Sequence, residues 1–389
     1  MQRAYLIGTL SVAAVLALCV VALCLAVDPY KLYPDGDDDS AGNSADLFFH
    51  LRLHKPYAIQ RRAPEHLIIG SSRSARLQPH FLGEAAYNAS LPGVTLREMR
   101  RMVEHAHSVR PLKTLFLGVD YYMFRQGHSD QTDHYEDDRL RRPDPSLRER
   151  LAFAYQRLED GWRALFSVDA VVDSATVMLG RETSQRRYRD DGTWFTEGSS
   201  RPPRWLFSAL NRQKMRDFSL ETDRLDATEL AGLLRFCSER NIAVTVFISP
   251  FHASVMSTVR LAGKWRSYLN WQRLVSDTVA QAPGSIRLAG VEQQALVTLE
   301  PLDTPRPFYY DGVHYTDAAG ELIMACLTGG ACDSESEPAV LEAGHIGRYL
   351  KRVDELMRAY PEQRPADYAA LRKWLDRATG SGKGQGSTE

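Results

Sequence analysis

Two short stretches of this 389-residue chain carry residue types that can do chemistry together. The first is "HLIIGSSRSARL", His66 to Leu77, where an apolar run meets a glycine and then Ser71, Ser72, Arg73 and Ser74. The second is "YYDGVHYTDAAG", residues 309–320, which holds Asp311 and His314 in the pattern D-x-x-H. A serine hydroxyl is a poor nucleophile until a neighbouring base takes its proton. An imidazole can be that base when a carboxylate fixes its tautomer and steadies its positive charge. Asp and His three apart on a loop or first helical turn can share one site. A Ser at a strand end where a helix begins has backbone N–H groups near the reacting oxygen. The set suits acyl transfer, with Ser72 as nucleophile, His314 as base and Asp311 as its orienter. Each residue also has a structural reading. Ser72, like Ser71 and Ser74, could cap a helix. His314 could be a buried histidine beside Tyr310 and Tyr315, and Arg73 could pair on the surface or bind an anionic substrate.

These residues need a scaffold, and the pattern around them reads as α/β. Short apolar runs bounded by Gly or Pro predict strands at 66–70, 85–93, 113–124 and 240–252, with a weaker one at 285–291. Helical spacing of Leu96, Met99, Met102, Val103 and Ala106 predicts a helix over 95–109, and a second is expected over 226–239. Alternating strand and helix predict a three-layer α/β/α domain with a parallel sheet, spanning 63–335. In such sheets ligands gather at the carboxyl ends of the strands. That edge should hold "GSSRS", "NASLPG" with Gly93, and "GVDYY" with Asp120. His252, in "SPFH", falls at the same edge and is a candidate to bind substrate, as are Arg73 and Asp120. Residues 125–225 do not fit one crossover and read as a largely helical insertion capping the sheet. Its "DDGTWF" segment offers a Trp and carboxylates of the kind that contact sugars. Two amphipathic helices and a disordered Gly/Ser tail are expected over 336–389.

Residues 4–27 form an uncharged, mostly apolar run, about the ~20 residues needed to cross a bilayer. Arg3 before it and the acidic "DPYKLYPDGDDD" after it fit a signal anchor over 1–27 with the body outside the cytoplasm. Cleavage after Ala26 is the alternative. Residues 28–62 read as a polar stalk and lead-in. A net charge of −1 gives no reason to expect nucleic acid as partner. The spacing of Cys and His contains no CxxC or HExxH, so no dedicated zinc site is expected, and no cofactor is expected either. Cys326 and Cys332 could close a disulfide in an oxidising compartment or remain two thiols. Cys237 reads as a small buried hydrophobe.

The layout resembles the SGNH (GDSL-like) hydrolase superfamily. It is most similar to a membrane-anchored extracytoplasmic branch that includes alginate O-acetylation proteins and the D-alanine-transfer protein of teichoic acid synthesis. "GSSR" matches the G-D-S-x block with Ser72 at the nucleophile and Ser71 replacing the Asp. The late D-x-x-H matches as Asp311 and His314, and "NASLPG" resembles the block whose glycine, here Gly93, supplies an oxyanion N–H. "DPY" after the anchor and "GVDYYMF" also look like this branch. The likeness covers roughly 64–124 and 240–325. It implies a flavodoxin-like sheet and an oxyanion hole from the N–H groups of Ser72 and Gly93. The implied activity is acyl transfer or ester hydrolysis, with an acetyl group, on a cell-surface glycan. The expected setting is the inner membrane with the catalytic domain in the periplasm, beside a multi-span membrane acyl-transfer partner. One block departs: where the superfamily carries G-x-N-D, this chain has "GVDYY". Asp120 then stands near the Asn that binds the oxyanion, and a carboxylate there would repel it unless protonated or turned aside. A non-catalytic binding or scaffold module of an envelope polysaccharide machine is the alternative.

Overall fold

The computed structural model describes residues 2–33, 47–125, 135–180, 186–196, 204–220, 224–292, 298–304, 307–330, 340–341 and 346–379. In chain order the first elements are α1 (Gln2–Val27), α2 (Leu51–Arg62), β1 (His66–Ile69), β2 (Ala86–Asn88), α3 (Leu96–Val109) and β3 (Thr114–Val119). Next come α4 (Leu147–Phe166), α5 (Val168–Met178), β4 (Arg186–Tyr188), β5 (Trp194–Thr196), α6 (Arg204–Leu220) and α7 (Thr228–Glu239). The chain continues with β6 (Ala243–Ile248), α8 (Ala253–Leu261), α9 (Trp265–Gln281), β7 (Ile286–Gly290) and α10 (Asp317–Leu327). It closes with β8 (Val340–Leu341), α11 (Ile346–Gln363) and α12 (Pro365–Thr379). The contacts divide these into two units, Met1–Pro64 with Arg101–Pro111 and Asp133–Glu197, and Glu65–Arg100 with Leu112–Thr132 and Gly198–Glu389.

The larger unit is a mixed α/β structure built on one sheet in the order β2-β1-β3-β6-β7-β8. The first five strands are parallel, and β8 adds to β7 antiparallel. Leu67, Ile68 and Ile69 of β1, Leu115 and Leu117 of β3, and Val246, Phe247 and Ile248 of β6 are fully buried. Burial on both faces is why these strands read as continuous apolar runs and do not alternate. After β1 the chain steps outward to β2, then returns to pair β3 on the other side of β1. Ligands in open α/β sheets bind beyond the carboxyl ends at such a reversal. A cluster of Ile68, Phe116, Phe247, Tyr309, Tyr315 and Ile323 ties the sheet to the late loop and α10.

In the smaller unit, α1 is the one helix among the described residues long and apolar enough to cross a membrane. Its C-terminal turn packs Cys24 into a cluster with Tyr30, Leu32, Tyr57, Ala164 and Ala170. The segment read as a stalk is therefore in part folded: Tyr30 and Leu32 are buried and 51–62 form α2, while residues 34–46 lie outside the described residues. Beneath α2, Asp160 of α4 accepts from Tyr57 Oη at 2.9 Å, from Gln156 Nε2 at 2.9 Å and from Arg139 Nε at 2.6 Å. The "insertion" is split between the units: α4, α5 and the β4–β5 hairpin with its "DDGTWF" turn lie in the smaller, α6 in the larger. Cys332 and the tail from 380 onward are outside the described residues, so the Cys326–Cys332 pairing and the disordered tail are as well.

Candidate active site

Three loops of the larger unit build the site, and each leaves the carboxyl end of a strand or returns to that edge. After β1, Gly70 leads into Ser71, Ser72 and Arg73 and then a single 3-10 turn, Ser74–Arg76. No α-helix starts here. A hydroxyl cap at Ser72 would have no helix to serve, and the helix dipole expected behind the serine is missing. The turn sits against the sheet because two residues lack side chains. A Cβ on Gly70 would stand 2.3 Å from Ser74 Oγ, and one on Gly118 at the end of β3 would stand 2.2 Å from the same atom.

The loop after β2 continues beside β1, with Ala89 N–H donating to Ile68 O (2.8 Å) and Leu91 N–H to Gly70 O (2.9 Å). Asn88, fully buried, donates through Nδ2 to Ser74 O and Leu77 O, both at 2.8 Å, and accepts from Ser90 N–H at 3.0 Å. It fastens the Ser71–Leu77 turn to the second loop. Gly93, two residues past Leu91, holds φ +61° with open space where a Cβ would project, a conformation that favours glycine.

The third loop is pinched at its base. Tyr310 N–H donates to His314 O and Thr316 N–H to Phe308 O, both at 2.8 Å, and Tyr309 bridges Tyr315. Asp311 and His314 thus occupy the tip. Glu300 anchors the approach, accepting from the N–H groups of Phe308 (2.6 Å) and Tyr309 (2.9 Å). Thr316 caps α10, whose Gly320 leaves no room for a side chain: a Cβ there would lie 2.4 Å from Arg76 O. Arg76 also pairs with Asp317 at 2.6 Å and lies over the Tyr310 ring at 4.5 Å. Close backbone approach, one ion pair and one cation–π contact hold stretches 241 residues apart together.

The result is a continuous chain of hydrogen bonds. Ser72 Oγ lies 2.9 Å from His314 Nε2, and His314 Nδ1 lies 2.7 Å from Asp311 Oδ2. Asp311 Oδ1 accepts from the N–H groups of Val313 (2.9 Å) and His314 (2.8 Å). With Nδ1–H given to the carboxylate, Nε2 keeps a lone pair for the serine proton; this tautomer follows from the bonding network. Burial pushes the Asp311 carboxyl up, but the facing imidazole and the hydrogen bonds to its oxygens outweigh that and hold it below the usual carboxylate range. Ser72 and His314 are half-buried.

The other sequence candidates are placed differently. Arg73 and Asp120, expected to bind substrate, are 3% and 2% exposed and spend their charges on each other. Asp120 Oδ1 takes the Arg73 guanidinium and Oδ2 takes the Ser71 hydroxyl. Arg73 also donates to Ser249 O at 2.6 Å and stacks on the Phe251 ring at 3.6 Å. Burial opposes its charge, yet Asp120 and nearby tyrosines raise its pKa further. The carboxylate at the expected Asn position is thereby neutralised, and both residues flanking Ser72 are tied to it. His252 is no substrate ligand but a fully buried cap of α8. Its Nδ1 accepts from Ser254 N–H at 3.1 Å and its Nε2 donates to Glu300 O at 2.9 Å. Burial pushes its pKa down to about 4, so it stays neutral. Sequence reasoning missed Asn88, Arg76 and Glu300: the partner of Arg76 lies 241 residues away, and those of Asn88 and Glu300 lie across irregular loops where no period marks them.

Among the described residues no group of three or more His, Cys, Asp or Glu is arranged to hold a metal. A hydroxyl, a base facing it through Nε2 and a carboxylate orienting that base can move a proton off Ser72 as its oxygen attacks an acyl carbon. No family model matches the chain, and no curated protein matches it significantly.

Proposed function

We propose that this chain is a membrane-anchored, extracytoplasmic serine acyltransferase or esterase of the SGNH-like kind, acting on acyl groups of a cell-surface glycan. The observation that carries the reading is the Ser72–His314–Asp311 hydrogen-bond chain at a strand-order reversal. The order of the five parallel strands is that of flavodoxin-like sheets, which supports the fold half of the proposal. The choice of glycan and acetyl group, and of a multi-span membrane partner, rests on the family resemblance alone.

In the proposed mechanism Ser72 Oγ attacks the acyl carbonyl while His314 Nε2 takes its proton. Asp311 steadies the imidazolium without itself taking the proton. Backbone N–H groups of Ser72 and Gly93 receive the oxyanion. Asp120 need not repel that charge, because its oxygens are already engaged by Arg73 and Ser71. His314 then returns its proton to the leaving alkoxide and an acyl-Ser72 remains. Water or a sugar hydroxyl, deprotonated by His314, attacks the acyl carbon and restores the serine.

The test is turnover of p-nitrophenyl acetate and labelling by a fluorophosphonate, using the full chain in detergent. Wild type is expected to label at Ser72 and turn over, and Ser72→Ala and His314→Ala to lose both. A wild-type chain that neither labels nor turns over would favour a non-catalytic glycan-binding role.

A further inference from the structure

The smaller unit exposes a second apolar surface besides α1, and it lies on a helix whose polarity is inside out. On α4, Leu147, Leu151, Tyr155, Leu158, Trp162 and Phe166 recur at spacings of three and four and are 39% to 74% exposed. At about 100° per residue they fall within one ~100° stripe. The opposite face is buried, and it carries Gln156, Asp160 and Ala164. An amphipathic helix in water turns its apolar stripe inward; α4 turns inward a carboxylate bound by Tyr57, Arg139 and Gln156, and leaves its large side chains outside. The pattern continues on α5, where Val168 and Val172, with Leu179 just past its end, are exposed while Ala170 and Ser174 are buried.

What covers this surface is indicated by its neighbour. The corner between α4 and α5 is the place where α1 docks: Ala164, Leu165, Ala170 and Val171 pack against Val20 and Cys24 near the end of α1. The uncovered stripe therefore starts where the membrane-length helix meets the rest of its unit. Its composition is that of a bilayer interface, with Tyr155 and a Trp162 stacked on Phe166 at 4.1 Å among leucines. Exposed Arg148, Arg150, Arg157 and Arg163 flank it on α4, against Glu149 and Glu159 and the exposed Asp169 of α5.

We propose that α4 and α5 form a membrane-contacting surface that lies in the headgroup–acyl boundary of the same bilayer α1 crosses, with a preference for anionic lipid. The inference rests on α1 spanning a membrane and is independent of the chemistry at Ser72. Six large side chains on one ~30 Å helix would lose their water in that boundary, and the arginines would reach the phosphates.

The experiment is fluorescence of the full chain reconstituted into vesicles of phosphatidylcholine with and without phosphatidylglycerol. The Trp162 signal is taken as wild type minus Trp162→Phe. Lipids brominated at shallow or deep acyl positions serve as quenchers. The proposal expects a blue-shifted Trp162 signal, quenched by about half by shallow bromines and less by deep ones, and stronger with phosphatidylglycerol at low salt. The double variant Leu151→Glu, Leu158→Glu should lose the quenching and keep its thermal transition, since both sites are exposed. A water-like Trp162 signal in chains that resist alkaline extraction from the vesicles overturns the proposal while leaving the anchor standing. Chains that extract freely overturn both. A blue shift without bromine quenching that grows with protein-to-lipid ratio overturns it in favour of contact between copies. Turnover of p-nitrophenyl acetate by the same variants keeps failure here separate from failure of the enzymatic reading.

Discussion

Replacing Asp311 by asparagine changes one atom and should disable the site through the tautomer of its neighbour. Asp311 Oδ1 accepts two backbone N–H groups, at 2.9 and 2.8 Å, while Oδ2 faces His314 Nδ1 at 2.7 Å. Asparagine has one oxygen and one NH2. Turning the NH2 toward Val313 and His314 would leave two donors without an acceptor, at roughly 1–3 kcal/mol each. The oxygen therefore stays on the backbone and the NH2 points at Nδ1. Nδ1 must then present a lone pair, so the ring proton moves to Nε2. An Nε2–H cannot accept the Ser72 proton across their 2.9 Å contact. The expected loss in kcat is about 10⁴-fold, the size seen when a triad histidine is held in the wrong tautomer, or about 5–6 kcal/mol of barrier. The assay is stopped-flow hydrolysis of p-nitrophenyl acetate by the full chain, with thermal denaturation expected to move by only a few degrees. Turnover within tenfold of wild type in a folded Asp311→Asn chain would refute the tautomer argument.

Asp120→Asn should strand the Arg73 charge in a site 3% exposed and destabilise the larger unit by about 3–5 kcal/mol. Thermal denaturation should show a fall of several degrees or more, and Arg73→Met with Asp120→Leu should recover most of it; an unchanged transition in the single variant contradicts the pairing. Glu292 is fully buried and accepts from Tyr268 and from Gln272 Nε2, the latter at 2.6 Å; burial pushes its pKa up to about 7. A carboxyl raised on folding holds a proton that the unfolded chain releases. The Glu292 contribution to stability should therefore decline as pH rises from about 4.5 to about 7 and level off above. Glu300, raised by burial to about 7 as well, acts in the same direction, while His54, His105 and His252, pushed down by burial to about 3, 4 and 4, make stability rise with pH over the same range. Glu292→Gln should therefore make stability climb more steeply with pH between about 4.5 and about 7 in denaturant titrations. A slope unchanged by Glu292→Gln would assign the proton elsewhere.

Much of this site could be read along the chain because its parts announce themselves locally. β1, β3 and β6 are apolar runs, β1 ended by Gly70 and β6 by Ser249-Pro250, and the D-x-x-H lies directly before a helix start capped by Thr316. The helix expected after Ser72 was misread, since nothing in "SSRSARL" marks a one-turn 3-10 segment. The ion pair of Arg73 with Asp120 joins residues 47 apart, so no period or cap could reveal it. His252 looked like a site residue because it sits at the right sheet edge; its ring is consumed by Ser254 and Glu300. β8 is two residues long and antiparallel, too short to carry a pattern. The inverted polarity of α4 was legible in principle, but a stripe of leucines and aromatics reads as core until burial shows which face is covered.

Ser72 and its hydrogen-bond partner His314 are 242 residues apart, and under the proposed mechanism this sets when the protein can become reactive. Ribosomes deliver α1 first, the nucleophile turn soon after, and the Asp311–His314 loop only near the end. A chain stopped by a premature codon before position 311 would carry a complete serine turn without a proton acceptor. It would be chemically silent toward every acyl donor it met. Under the proposed mechanism, synthesis past position 314 is thus what supplies this hydroxyl with its proton acceptor.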